Sequence, residues 1–315
     1  MIMLMSVVMA TYNGQLYLKE QIESILAQDL VPNEIIIVDD FSSDNTIQII
    51  EDFQKNTSVC IKLIKHNINK GVLESFRDGL NIVEGNIVFF CDQDDVWYKN
   101  KTAQMVKIFE NNSNIMVVFL NADIVDCNLE KTGLTLWNSI RYVPGKIEDI
   151  KYELFKRNIF TGMCMAVRRE WALSLPEFSN HMLHDEFFGW CAASENKAMY
   201  VDLSLVAYRQ HNKNVVGSGN YTKFQNIKQT KKIVEQSSND TKEKYYDLYQ
   251  IVQDIELKMR IKKAESFYRI RSELFTEKRI IALGKCLREI SKGNYFTFCS
   301  KTEYAIQKDL LGILL

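Results

Sequence analysis

The chain has 315 residues, 46% of them hydrophobic and 25% charged, with a formal net charge of −1. This is the make-up of a soluble globular protein, and with 3 prolines and 13 glycines it excludes collagen-like, low-complexity and disordered classes. The near-neutral total also gives no basis for nucleic-acid binding, although it hides a split: residues 1–222 carry 20 Lys/Arg against 28 Asp/Glu, and residues 223–315 carry 19 against 12.

The opening Met1–Ala10 is apolar but far too short for a membrane span and lacks the basic start of a signal peptide, so a buried first strand is expected over Met5–Ala10. Asn13-Gly14 makes the turn leaving it. Leu16, Leu18, Ile22, Ile25 and Leu26 then recur at roughly helical spacing, predicting a helix over about 15–28. Glu34–Asp40 is a second apolar run that ends in acid, and Asp44 is a candidate N-cap for the helix behind it. Val59–Ile64 reads as a third strand, Val72–Val83 as a helix, Ile87–Cys91 as a fourth strand, Lys99–Glu110 as a helix and Met116–Leu120 as a fifth strand. Strands alternating with helices of this length predict βαβ units and a mostly parallel sheet. Between 121 and 222 aromatic residues mix with polar ones, and Met199–Tyr208 reads as a last strand delivering Arg209 and His211. Residues 212–220 have the composition of a mobile loop. A domain boundary is expected near 222, followed by a long amphipathic helix through Tyr245, Leu248, Val252, Ile255 and Met259, and shorter helices at about 276–291 and 301–314. Seven scattered cysteines without a Cys-X-X-Cys pair fit reduced thiols in the cytoplasm.

Parallel strands joined by crossovers end on one edge of the sheet, where ligands bind. Three strand ends here carry polar groups: Thr11-Tyr12-Asn13, Asp39-Asp40, and Asp92-Gln93-Asp94-Asp95. Carboxylates packed as closely as Asp92, Asp94 and Asp95 repel one another, and oxygen ligands of this kind suit Mg2+ or Mn2+ better than zinc. A solvated acidic turn is the plain alternative. Asp39 and Asp40 can accept from a pyrimidine N–H or ribose hydroxyls, or simply cap a turn. In His184-Asp185-Glu186, Asp185 is the candidate general base, with helix capping as its ordinary alternative. Arg209 and His211 can reach a pyrophosphate or a metal. The phosphate-cradling loops of ATPases and Rossmann dehydrogenases, and the nucleophile elbow of hydrolases, are missing.

Several of these stretches, in this order, resemble a family 2 glycosyltransferase of the GT-A fold. They are Val7–Gly14, Glu34–Asp44, Asn69-Lys70-Gly71, Cys91–Trp97, Thr161-Gly162, His184-Asp185 and Tyr208–Asn212, spanning roughly residues 3–217. The resemblance implies a Rossmann-like α/β domain over 1–222 with a C-terminal helical extension over 223–315, a nucleotide-sugar donor, Mn2+ or Mg2+, and inversion by direct displacement. It places Thr11, Tyr12, Asn13, Asp39, Asp40 and Asn69 around the nucleotide, with Asp92, Gln93 and Arg209 also on the donor. Asp92, Asp94 and His211 become metal ligands, Asp185 the catalytic base, and 212–220 a segment closing over the donor. Phe41 stands where the family usually has glycine, so a different turn is expected there, and Arg77 is given no role.

The Asp-Gln-Asp-Asp-Val-Trp and Tyr-Arg-Gln-His variants look most like bacterial rhamnosyltransferases of surface-polysaccharide assembly. That implies dTDP-L-rhamnose as donor and a saccharide acceptor on a membrane lipid, at the inner face of the cell membrane. Residues 223–315 would then dock on the membrane surface or form a homo-oligomer. Rival readings are a transferase using a UDP-hexose, an inactive sugar-binding relative, a receiver-like module, and a haloacid-dehalogenase-like phosphotransferase. The last lacks its later acidic motif, and the receiver lacks its lysine.

Overall fold

The structure is a computed structural model describing residues 3–177, 180–211 and 227–314. Contacts divide the chain into two compact units. One lies within Met1–Ile147, Ile159–Phe178 and Leu183–Ser218, the other within Glu148–Asn158, Ser179–Met182 and Gly219–Leu315. The boundary expected near 222 and the loop 212–220 lie outside the described residues.

The first unit opens with β1 (Met5–Thr11), α1 (Leu18–Leu26), β2 (Glu34–Asp39), α2 (Thr46–Asn56), β3 (Cys60–Lys65), α3 (Val72–Ile82) and β4 (Ile87–Cys91). It continues with β5 (Val96–Trp97), α4 (Lys101–Asn111), β6 (Val117–Val125), β7 (Lys131–Thr135) and α5 (Leu136–Ser139). After α6 (Ile150–Glu153), which belongs to the second unit, come β8 (Met165–Arg168), α7 (Arg169–Ser174), α8 (His184–Ser194) and β9 (Ala198–Arg209).

These strands make one sheet in the order β3-β2-β1-β4-β8-β6-β9-β5, with β7 paired to β6. β3, β2, β1 and β4 are parallel, and so is the long β6–β9 ladder. β8 is antiparallel to both of its neighbours, β4 and β6. Val7, Val8, Ile35, Ile36, Phe89 and Phe90 are fully buried, which is why β1, β2 and β4 read as unbroken apolar runs rather than alternating ones. Burying each such side chain contributes about 1.5–3 kcal/mol before chain entropy is set against it.

Most predicted elements are present with ends shifted by one to three residues, and Ile87–Cys91 is found as expected. Three details differ. Asp44 caps α2 from one residue further out: its Oδ1 accepts the Thr46 N–H at 3.0 Å, while Asn45 holds the cap position. β6 runs on to Val125, so Asn121-Ala122-Asp123 lies inside a strand, and β8 inserts between β4 and β6. The single long C-terminal helix is in fact two.

In the second unit α9 (Ile227–Ile251) stops and α10 (Ile255–Glu273) restarts, because Asp254 caps the new helix by accepting the Leu257 N–H at 2.8 Å. The break changes the buried stripe. Ile255 and Met259 face solvent, and Leu257, Ile261, Ala264 and Phe267 go inside. α11 (Arg279–Ser291), α12 (Asn294–Phe298) and α13 (Thr302–Leu314) complete the unit. Asp309 on α13 is fully buried, accepting two bonds from Arg271 at 2.6 and 3.0 Å and one from Tyr295 at 2.7 Å. A buried charge needs such partners.

Candidate active site

The ends of β1, β2 and β4 do converge. The Asp40 N–H donates to the Thr11 carbonyl at 2.8 Å. The Gln93 side chain clasps the backbone of Tyr12, accepting its N–H at 2.9 Å and donating to its carbonyl at 3.0 Å. Gly14 leaves room for this clasp, since a Cβ there would meet Gln93 Oε1 at 2.2 Å and push that side chain aside. Asn13 takes a left-handed φ of 48° and locks onto the next turn: its N–H donates to Ser42 Oγ and its Oδ1 accepts from Ser43 N. Tyr12 keeps its ring about half exposed at this edge.

The two acids after β2 are engaged inward. Asp39 accepts from the N–H and Oγ of Ser42 and from Thr11 Oγ1 at 3.0 Å. Asp40 accepts from the Lys70 and Gly71 N–H groups at 2.7 and 2.8 Å and meets His66 Nδ1 at 2.8 Å. Burial alone would raise the Asp40 pKa; bonds from His66, Lys70 and Gly71 outweigh it and hold the carboxyl below its usual range. Asn69 points its amide at the Asp40 carbonyl, at 3.4 Å. Phe41, for which a different turn was expected, keeps the left-handed conformation that suits glycine, with φ 71° and its ring exposed.

At the end of β4 the acids divide by environment. Asp95 is fully buried; its Oδ1 accepts the Arg209 N–H at 3.0 Å, and its Oδ2 has no partner among the described residues. Burial, with repulsion from Asp94 and Asp92, raises its pKa well above the ordinary range. Asp92 is raised too, by burial first and by Asp94 next. Asp94 Oδ2 meets His211 Nε2 at 2.9 Å, and its carbonyl accepts from Arg209 Nε at 2.8 Å.

Arg209 was expected to face a diphosphate. Its guanidinium is instead almost wholly buried, donating also to the Cys127 carbonyl and Glu20, and stacked over the Tyr17 ring at 4.4 Å. His211 stacks on the same ring, centroids 4.9 Å apart. Tyr17 and Glu20 at the start of α1 therefore serve the site although no motif marks them; the sole hint is an aromatic and an acid just after the first-strand turn.

Asp185 sits in the first turn of α8 and is buried. Its Oδ2 accepts the Gly162 N–H at 3.1 Å and its Oδ1 the N–H of Glu186 at 2.6 Å. Burial drives its pKa up to about 7, and the charges of Glu186 and Asp92 push the same way. A carboxylate tuned there can exchange a proton near neutrality. His184 beside it is wedged between the rings of Phe76 and Phe90, and burial lowers its pKa to about 3, so it is a neutral packing group.

Among the described residues no three His, Cys, Asp or Glu side chains are already gathered as a metal cluster. The donor set nevertheless fits a hard divalent cation. Asp94 and His211 already meet, and Asp95 has an orphaned buried oxygen that positive charge nearby would satisfy.

Residues 6–174 match the profile of Glycosyl transferase family 2. The chain is 28% identical over 232 residues to the dTDP-rhamnosyl transferase RfbG of Shigella flexneri, covering 67% of this chain and 74% of that one. It is 26% identical over 250 residues to the GalNAc(5)-diNAcBac-PP-undecaprenol beta-1,3-glucosyltransferase of Campylobacter jejuni, covering 77% of each. Two solved structures are similar in fold. S. aureus TarS 1–349 in complex with UDP has a TM-score of 0.54 at 17% identity, over 87% of this chain and 91% of that one. The mannosyltransferase PcManGT from Pyrobaculum calidifontis, in complex with GDP-Man and Mn2+, has a TM-score of 0.56 at 15% identity, over 98% and 85%.

The Asp40 network has a measurable pH signature. Its folded-state carboxyl lies below the ordinary 3.8, so its stabilisation is complete above that value and disappears as pH falls through the lower folded value. Asp40→Asn should cost about 1–3 kcal/mol at pH 7, the range for leaving buried donors unpaired. Denaturant titrations at pH 7 and pH 3 should show the gap to the native chain closing at the lower pH; an equal gap at both would refute this account.

Proposed function

The chain belongs to Glycosyl transferase family 2, whose members are nucleotide-sugar-dependent transferases, and its fold is of the GT-A type. From that premise we propose that it transfers L-rhamnose from dTDP-L-rhamnose, with inversion, to a hydroxyl of a growing lipid-linked surface polysaccharide in bacteria. The observation that carries the proposal is Asp185, a buried carboxyl tuned to about 7 and near enough to the acidic turn for Asp92 to act on its charge. The donor assignment draws support from the Asp92–Trp97 and Tyr208–His211 variants and from the relative described as a dTDP-rhamnosyl transferase. The lipid-linked acceptor draws support from the relative whose name specifies an undecaprenol-linked substrate.

In this reading the deprotonated Asp185 takes the proton from the acceptor hydroxyl as its oxygen attacks the anomeric carbon. The nucleoside diphosphate leaves from the opposite face. Asp94 and His211, with Asp92 near them, would hold Mn2+ or Mg2+, which supplies positive charge to the departing diphosphate. The exposed Tyr12 ring and the Asn13 turn would meet the nucleotide, with Thr11, Asp39, Asp40 and Asn69 bracing them from behind. Gln93 fixes the acidic turn against β1, and Arg209 supports it from beneath.

The second unit is read as a docking element for an anionic membrane. On α11, Ile280, Gly284 and Leu287 form an exposed stripe at helical spacing, with Ile281 beside it. Lys278, Arg279 and Arg288 are also exposed there, while Lys292 is already paired with Glu289 at 3.1 Å. Each such cation contributes about 1 kcal/mol near an anionic surface. Pairing two copies through this face would oppose like charges, which favours lipid over a homo-oligomer. No described helix is long and apolar enough to cross the membrane.

Asp185→Asn should leave donor binding intact and lower kcat by at least about 10²-fold, and the native chain should gain activity with an acid limb near pH 7. Asp94→Ala should abolish turnover and weaken metal-dependent donor binding. Near-normal turnover in Asp185→Asn moves the base elsewhere, with Glu186 the next to test. Release of no nucleoside diphosphate from any nucleotide sugar, with metal and acceptor present, would mark an inactive binding relative. A thermal-shift screen with magnesium or manganese should show stabilisation by dTDP-L-rhamnose; a response to UDP-sugars alone would overturn the donor assignment. In flotation with anionic vesicles the full chain should rise with the lipid and an Ile280→Ser, Ile281→Ser variant should not. Equal flotation of both chains would remove α11 as the docking face.

A further inference from the structure

We infer that Lys101 is a positioning residue that ties the acidic turn to the carboxyl at Asp185. The inference rests on reading Asp185 as the base, and it concerns how that base is held. Lys101 opens α4, a position that ordinarily points a lysine at water, yet its side chain is fully buried. Its ammonium lies 3.3 Å from the centroid of the Trp97 ring and donates to the Met163 carbonyl at 2.6 Å.

Each contact leads to one half of the site. Trp97 sits in β5, two residues after the buried Asp95, so a cation over its ring fixes the stretch that leaves the acidic turn. Met163 lies in the short 3₁₀ turn Gly162–Cys164, and the residue before it supplies the N–H that Asp185 Oδ2 accepts. One buried ammonium therefore sets the turn that aims a donor at the base, and the same ammonium anchors the exit of the acidic turn. A methionine or leucine would fill the volume without either tie. Burial lowers the Lys101 pKa to about 8, which leaves the group mostly charged at neutral pH.

The charged and titratable groups around Asp185 are Glu186 on its own helix, Asp92 on the acidic turn, and the neutral His184 alongside. Lys101 and Asp185 both act electrostatically on the buried Cys164 thiol of the 3₁₀ turn, whose pKa burial drives upward. Losing the Gly162 N–H, which holds the ionised form, disfavours ionised Asp185 and so moves its titration to higher pH.

The test is the pH dependence of kcat, with KM for the donor, in the native chain, Lys101→Met and Lys101→Arg. Lys101→Met should lower kcat roughly tenfold to a hundredfold, raise donor KM through the loosened acidic turn, and move the acid limb upward. Lys101→Arg, which keeps charge and donor, should return the limb toward its native position. An unmoved limb in Lys101→Met, with kcat falling only in proportion to folded protein, overturns the inference. A second measurement serves if Lys101→Met does not fold. The ¹⁵N resonance of the Lys101 ammonium should shift when Asp185→Asn is introduced into the otherwise native chain, and an unshifted resonance is equally fatal. Should Asp185→Asn retain turnover, the base assignment fails, while the resonance still reports whether the two groups are tied.

Discussion

The buried guanidinium of Arg209 is the contact on which the arrangement of the acidic turn depends. Three carboxyls within four residues oppose their own proximity, and at the end of a fully buried strand little water is available to screen them. Arg209 meets the Asp94 carbonyl and, through its own N–H, the Asp95 carboxylate, while its far nitrogens reach the Cys127 carbonyl and Glu20. The cation is thereby spent on the scaffold. It leaves Asp94 to His211 and keeps the acids in register with the ends of β1 and β2. Tyr17, lying under both Arg209 and His211, makes the start of α1 part of the same support.

Electrostatics then separates the carboxyls by task. Asp39 and Asp40 carry donors on their oxygens and act as turn anchors. Asp92 and Asp95 are held where ionisation is unfavourable without a compensating cation, which is the setting in which a divalent ion binds with most effect. Asp185 lies between these extremes, with two N–H donors against the penalty of burial. Burial, neighbouring charge and local hydrogen bonding thus set one residue type into three different electrostatic states.

The alternating half of the fold was legible because its signals are local. Continuous apolar runs such as Ile35–Val38 and Ile87–Cys91 can only be strands buried on both faces, and the acids following them must then share an edge. Long-range pairing was not legible. Nothing in Met165–Arg168 announces a strand antiparallel to two neighbours, and the inward turn of Arg209 depends on Glu20, nearly 190 residues earlier. The break between α9 and α10 has no sequence signal of its own, because Tyr245, Leu248 and Val252 continue in helical spacing to Ile255 and Met259. A single capping carboxylate at Asp254 outweighs that pattern. Lys101 carried no signal either, since a lysine at a helix start is ordinarily solvated.

The second unit is discontinuous in sequence, and that bears on how the protein can be made. Tyr245 donates to the Phe155 carbonyl, His181 pairs with Asp247, and Lys151 pairs with Asp254, so stretches near 150 and 180 have partners more than 60 residues downstream. As the chain leaves the ribosome, those stretches wait for α9 and α10 to emerge before their own contacts exist. Such distant closures slow folding and prolong the exposure of side chains such as Phe155. Cutting at 222 would make the wait permanent. A shortened chain prepared for enzymology would then expose Phe155 and its neighbours at the surface, and poor solubility would report on that cut rather than on the sheet.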